Sequence, residues 1–508
     1  MDLNITNFDV TTKEIKLSQT AELPIDIDIS LSEYEPDIKK ILKCNMVSYI
    51  SSKQISGNGL AVEGNVTVTL IYCDKDKNLN SVQKQIPFKK NFEASSMLDG
   101  GEADVYAASS VNSYLLLTES KVAIKATVRL EATVTVSEKK SVISDLDNDC
   151  FEQLRGDAKA TTPIGRTSKS FIIDEEFELD TKELPIAKII NCSYFVGINE
   201  TKIISNKIVV KGQLNINVFY RTNQNTFECY KNIIPFNQIV DINGVTEDCK
   251  CDTTIDICSI NLTTRTSSNG ECRTMMLVAK LMVNAEAICE SEIPIIYDLY
   301  SKRHETDIVK KDICFDKIIH QSKEIFMCKK NIVMPENEVK EIVNLWCESG
   351  KCICRFNETN LTVSGSVTVC TIFRDAQNEA GYFERIIDFD FPIEIMKETA
   401  SPKCKCKAEI LNTTYSLNSS GDIELSLELQ IMSTVYDTVN MEVITEVTVN
   451  ESKMINNTTS LIAYFAESGE NVWEISKSFL ADRTNFIALN EIKEETIKTP
   501  KMLLIPRF

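Results

Sequence analysis

Apolar and polar residues alternate along much of this chain, and the alternation returns in blocks. In VEGNVTVTLIY, Val66, Val68 and Leu70 stand against Asn65, Thr67 and Thr69. The same period of two runs through Lys121–Val136 (KVAIKATVRLEATVTV) and Asp422–Val435 (DIELSLELQIMSTV). A period of two rich in β-branched residues predicts half-buried strands. Helical spacing is rare. Ile38, Ile41 and Leu42 form an i, i+3, i+4 stripe, matched by Val339, Ile342 and Val343, and each stripe predicts a short helix.

The blocks follow one grammar. SEYEPDIKKILKC (ending at Cys44), LAVEGNVTVTLIYCD (Leu60–Asp74) and QIPFKKNF (Gln85–Phe92) are followed by ELPIAKIINC (ending at Cys192), IVVKGQLNINVFYR (Ile208–Arg221) and NIIPFNQIV (Asn232–Val240). Cys44 to Cys192, Gly64 to Gly212 and Pro87 to Pro235 all span 148 residues. A more diverged third copy reads NEVKEIVNLW, LTVSGSVTVCTIFRD and IIDFDFPIEI, with Gly365 153 residues beyond Gly212 and Phe391 aligned to Phe88 through a two-residue insertion. Each copy closes on a strand-like block, the second being Arg273–Ile288. A repeat of this kind is one supersecondary unit stacked in tandem. The expectation is a mainly β protein: three β-sandwich or barrel-like units with short helices, at 20–160, 168–315 and 322–450, behind an N-terminal extension 1–19. The shared glycine, inside a strand, predicts a bulge or a close backbone approach. Proline in the Ile-Pro-Phe element suits an edge strand.

From Leu461 the pattern changes. A short strand (Leu461–Phe465), a turn at Glu467–Glu470 with Gly469, and a helix with Val472, Ile475 and Phe479 on one face come first. Asp482 then N-caps a second helix carrying Phe486, Ile487 and Leu489, and Met502–Ile505 closes as a strand before Pro506. Residues 460–508 thus read as a small βααβ domain.

Composition narrows the function. A chain of 508 residues needs three or four cores, and 43 % hydrophobic with 25 % charged residues is ordinary folded protein. The 12 prolines and 16 glycines leave no long Pro- or Gly-rich linker. A net charge of −19 repels phosphate backbones and anionic lipid, so nucleic acid is not an expected partner. Met1 to Thr20 lacks the basic start and apolar stretch of a secretory signal, and Thr274–Val283, the longest near-apolar run, is interrupted by Lys280 and too short to span a bilayer. No membrane insertion is expected, and the compartment expected is a cytosol.

Catalysis needs groups that titrate near neutrality, and there are two histidines, His304 and His320, with no HExxH-like spacing and no phosphate-cradling glycine motif. Neither an enzyme nor a cofactor is expected. Eighteen cysteines crowd the middle of the chain, fifteen of them between Cys192 and Cys406. Three Cys-x-Cys pairs, Cys249/Cys251, Cys352/Cys354 and Cys404/Cys406, place two thiols on one side of an extended strand. Reduced structural cysteines, oxidative cross-links and a soft metal site all fit this spacing.

The terminal segment resembles a LysM domain. The carriers are Tyr464, the Ser468-Gly469-Glu470 turn, Val472-Trp473-x-Ile475, Phe479, Ile487-x-x-Asn490-x-Ile492 and Leu503-Leu504-Ile505-Pro506. It departs from that family at Thr499-Pro500-Lys501, where Pro-Gly-Gln is usual before the last strand. The three repeats resemble the SPOCS domains of spore-forming Firmicutes, and three of these followed by a LysM domain resemble a family of clostridial spore-morphogenesis proteins. The resemblance implies a non-enzymatic, cysteine-rich scaffold of the spore coat, in the mother-cell cytoplasm at the forespore surface. Its LysM domain would bind the coat-basement ATPase SpoIVA, and its repeats would self-associate or hold other coat proteins. Carried over on Ile462 and Trp473, the partner-binding candidates are Ile462, Tyr464, Gly469, Val472, Trp473, Ile475 and Lys477. Tryptophan is a frequent interface anchor, and Trp473 is one of only two. The competing expectation is a LysM protein that binds the N-acetylglucosamine of cortex or wall peptidoglycan.

Overall fold

The computed structural model describes residues 4–334, 339–357, 360–395, 402–419, 421–454 and 460–506. The chain is mainly β. In the first repeat β1 (Asn4–Ser30), β6 (Lys121–Asp147) and β5 (Glu102–Thr118) form one antiparallel sheet, and β2 (Lys40–Ser56), β3 (Gly59–Cys73) and β4 (Leu79–Glu93) form another. Alternate residues of the central strands, such as Val66, Val68 and Leu70 of β3 and Ile124, Val128 and Leu130 of β6, meet in one core between the sheets. The second repeat repeats this order with β7 (Phe151–Glu178), β8 (Ile186–Ile204), β9 (Lys207–Thr222), β10 (Phe227–Asp241), β11 (Lys250–Thr266) and β12 (Cys272–Ser301). In the third, β14 (Glu341–Ser349) and β15 (Ile353–Asn357) share one side of β16 (Asn360–Arg374), with β17 (Ala380–Glu394) on the other. Its second sheet is β13 (His304–Ile332), β19 (Ile423–Met454) and β18 (Pro402–Leu417).

Two expectations are corrected. Residues 4–19 are not an extension but half of β1, and sheets change hands at 148–150 and 302–303 rather than at the expected unit boundaries. Each opening strand pairs with the last strand of its own repeat, Asn4 with Asp147 for example, and no local pattern announces so distant a partner. The stripes at Ile38/Ile41/Leu42 and Ile342/Val343 are not helices, and among the described residues the repeats contain none. Register slips between Ile41 and Lys43, Ile189 and Asn191, and Ile342 and Asn344 insert one extra residue in each strand: Leu42, Ile190 and Val343. A bulge sends two neighbouring apolar residues to different faces, which imitates helical spacing.

The bulged residues explain how the repeats meet. Leu42, Ile190 and Val343 join Ile71, Phe219 and Ile372, and Leu79, Phe227 and Ala380, in a single apolar cluster to which each repeat contributes equivalent positions. Around it Ser81 Oγ donates to the Ile189 carbonyl (2.7 Å), Lys43 Nζ meets Glu384 (2.7 Å), and the Arg374 guanidinium lies over the Phe227 ring (5.6 Å). Every repeat therefore touches both others, and the three close about a common junction.

Beyond the cores, the ends of the long strand pairs run on as ribbons. The three ribbons pack on one another through Val10, Val142, Ile293, Ile295, Ile313 and Val443, and further out through Ile143, Leu146, Phe151, Ile296, Leu299 and Ile444.

The repeat glycine marks a close approach. Gly64, Gly212 and Gly365 stand directly across from Phe88, Phe236 and Phe389. A Cβ on these glycines would lie 2.4, 2.5 and 2.5 Å from those rings. The third aromatic is therefore Phe389, at the same 24-residue spacing as Phe88 and Phe236, and no insertion is needed. Phe391 packs on Phe326 instead, 5.4 Å between centroids. Pro87 and Pro235 lie in β4 and β10, both edge strands. Gly212→Val is expected to lower stability by about 1–3 kcal/mol through overpacking against Phe236 and the Gly197 carbonyl. Denaturant unfolding checks this, and an unchanged midpoint would show that the ring moves aside freely.

Candidate functional site

The terminal domain comprises β20 (Leu461–Ala466), α1 (Val472–Ser478), α2 (Arg483–Leu489) and β21 (Lys501–Pro506), with β20 and β21 paired antiparallel. Asp482 caps α2 by accepting from the Asn485 amide (3.0 Å), and Asn471, a cap beyond those expected from the sequence, caps α1 by accepting from the Trp473 amide (2.7 Å). Ala466, Val472, Ile475, Ala481, Phe486, Ile497, Leu503 and Ile505 form the core, with Ile462, Tyr464 and Phe479 packed against it.

The candidate residues divide by environment. Val472 and Ile475 are buried core, and Ile462 lies half-buried on the inner face of β20. Gly469, at φ +100, supplies the turn, and the Tyr464 hydroxyl donates to Glu470 (2.8 Å). Trp473 is 2 % exposed, yet it lies outside the domain's own core. Its indole N–H donates to Asp298 Oδ2 (2.9 Å) on the β12 ribbon, and its ring tilts onto Tyr300 (5.2 Å between centroids). Lys477 Nζ binds the same Asp298 oxygen at 2.6 Å, and the Tyr300 hydroxyl donates to the Ala481 carbonyl (2.7 Å). Lys302 bridges Glu152 (3.2 Å) and Asp482 (3.0 Å). Trp473 and Lys477 thus seat the domain on the second repeat. Burial pushes the Asp298 carboxyl up, but hydrogen bonds from Lys477 and Trp473 and the charges of Lys477 and Lys310 outweigh it and hold that carboxyl below its ordinary range.

The opposite side of the domain is open. Leu461, Phe465, Met502 and Leu504 alternate with the core residues on β20 and β21, and Phe465 pairs with Met502 across the sheet. Phe465 is 64 % and Met502 66 % exposed, and half-exposed Leu489 lies at the end of α2. The turn before α1 and the segment before β21 are zipped together: Gly469 N donates to Ile497 O (2.8 Å), Ile497 N to Glu470 O (2.9 Å), Val472 N to Glu495 O (2.8 Å) and Ser468 Oγ to Lys498 O (2.7 Å).

A second feature lies where the repeats face one another. A cavity of about 870 Å³ is lined by all three, with Lys53, Asp104 and Glu131 from the first, Arg166, Asp256 and Glu286 from the second, and Lys351, Cys352, Lys405 and Cys406 from the third. Its charges pair across repeats, Arg166 with Asp104 (2.5 Å) and Lys351 with Glu131 (2.5 Å), and Glu286 pairs with Lys13 of the first repeat. Of the three Cys-x-Cys pairs, Cys249 is disulfide-bonded to Cys289, and Cys354 to Cys404. Among the described residues no helix is long and apolar enough to cross a membrane.

Fold and repeat together define a mainly β protein of three equivalent two-sheet units carrying a small terminal domain. Residues 37–112 and 185–265, which hold β2 to β4 and most of β5 in the first repeat and β8 to β11 in the second, match the family model of the SipL, SPOCS domain. That match supports a sporulation-related protein of SipL-like kind. No curated protein and no solved structure matches the chain.

Proposed function

We propose that this chain is a non-enzymatic adaptor of spore-coat assembly: its repeats form a platform, and its terminal, LysM-like domain docks a SpoIVA-like coat-basement ATPase at the forespore surface. The match of two repeats to the SPOCS domain of SipL carries this reading. The open face of β20 and β21 supports the docking role, because contiguous exposed apolar residues mark interaction surfaces. In this reading Phe465 and Met502 touch the partner, while Trp473 and Lys477 set the orientation in which that face is offered. A glycan ligand has less support, since backbone groups of the two loops that would meet a sugar are spent on each other.

The test is capture of the purified SpoIVA-type ATPase by the full chain carrying Phe465→Glu and Met502→Glu. Losing two central apolar contacts is expected to weaken binding by about 30-fold or more. Undiminished capture would sink the assignment of the face. Co-sedimentation of the parent chain with purified peptidoglycan would overturn the partner class.

A further inference from the structure

Cys354 and Cys404 join β15 to β18, and therefore one sheet of the third repeat to the other. Two residues outward on both sides, Cys352 and Cys406 face each other with sulfurs 3.5 Å apart and no bond between them. Both line the inter-repeat cavity, flanked there by Lys351, Lys405 and Lys407. The four cysteines are thus two rungs of one ladder, the inner closed and the outer open.

We propose that Cys352 and Cys406 are a redox-active dithiol, which hydrogen peroxide entering the cavity closes into a second disulfide. Cys352 sulfur attacks one peroxide oxygen, the O–O bond breaks and water leaves after proton transfer, giving a sulfenic acid. Cys406 sulfur then attacks Cys352 sulfur, the S–O bond breaks and a second water leaves. Two thiols and one peroxide become one disulfide and two waters.

Two observations support this reading. The pair is close enough to bond after a small sulfur displacement, whereas the exposed Cys229 and Cys314 are, among the described residues, bonded to no other cysteine. The thiol hydrogen bond with Cys406 outweighs burial and holds Cys352 below its ordinary pKa, while the same bond holds Cys406 above its own. A thiolate is the form that attacks peroxide, and the Ala408 backbone hydrogen bond and the charge of Lys407 favour it at Cys352, which is therefore the nucleophile, with Cys406 the resolving thiol. A second rung beside the first closes only a small extra ring and adds little loop-closure stabilisation. Its effect is orientational: it removes rotation about a single link and fixes Lys351, which binds Glu131 of the first repeat.

Full-length protein would be exposed to a few equivalents of hydrogen peroxide, the remaining thiols alkylated, and non-reduced peptides mapped by mass spectrometry. The Cys352–Cys406 cross-link is expected to form at least tenfold faster than Cys229 or Cys314 is lost. In Cys406→Ser the reaction should stop at a sulfenic acid on Cys352 that dimedone traps. Cys352 and Cys406 still alkylatable after Cys229 and Cys314 have oxidised would overturn the proposal. So would stoichiometric zinc binding by Cys352, Cys354, Cys404 and Cys406 after mild reduction, with the thiols protected from peroxide by the metal.

Discussion

Replacing Trp473 with glutamate is expected to free the terminal domain from the β12 ribbon while leaving the domain itself folded. The indole is sealed between the two, against Tyr300, and its N–H satisfies Asp298. Truncating so buried a tryptophan costs about 3–5 kcal/mol, roughly a hundred- to several thousand-fold in the docking equilibrium. A glutamate adds a carboxylate beside Asp298, which then keeps only its cations, Lys477 at 2.6 Å and Lys310 at 3.9 Å. The folded pKa of Asp298 is depressed. Its contribution is therefore complete above the unfolded carboxyl value, about 3.9, and is lost only as pH falls through the depressed one. Near neutrality the variant loses the full effect. The domain's own core, Val472, Ile475, Phe486, Leu503 and Ile505, does not include Trp473. Hydrogen exchange should show β12 residues near Asp298 and Tyr300 deprotected while β20 and β21 stay protected. Unchanged protection at β12 would mean that the seat contributes little. Partner capture by the same variant separates two roles. An undocked, folded domain that still captures places the contact on the Phe465/Met502 face, and loss of capture by a domain that remains docked places it on Trp473.

Central strands were the legible part of this fold. β3, β9, β16, β6 and β19 bury every second residue against a core and show it as alternation. What the sequence hid was long-range or two-sided. β1 is partnered by residues 91 to 143 positions away. Leu42 and Val343 look helical because a bulge turns one apolar residue toward the other repeats. The identical turns after β3, β9 and β16, with Lys77, Asn225 and Asn378 at φ 65, 60 and 61, were a further repeat signal. The terminal domain's elements were readable because its periodicity is local. Its seat was not, because Asp298 and Trp473 are 175 positions apart and an aspartate in a strand carries no mark of its partner. The sequence points to Trp473 as an anchor for a partner protein, whereas the surface its indole covers, Asp298 and Tyr300, belongs to the same chain.

Phe219→Ala is expected to loosen all three repeats at once. Phe219 is 3 % exposed and sits at the junction with Ile71 and Ile372, its equivalents in the other repeats, stacked on Phe227 at 5.6 Å. Its side chain lies in the inter-repeat cluster rather than in the core between β9 and its facing sheet, so the second repeat keeps its own Leu214, Ile216 and Val218. Removing the ring costs about 3–5 kcal/mol. The cluster has little capacity to collapse over the gap, because its walls are three separate sheets, each fixed by its own hydrogen-bonded ladder. The loss therefore falls on coupling between units, not on any one of them. Calorimetry should turn a concerted unfolding into resolved transitions, with the first and third repeats melting earlier although neither was altered. Leu214→Ala, a truncation of similar burial inside the second repeat, should lower chiefly that repeat's own transition. If both substitutions depress only the second repeat, the three units are strung together without thermodynamic linkage, and the junction is a site of contact rather than of cooperation.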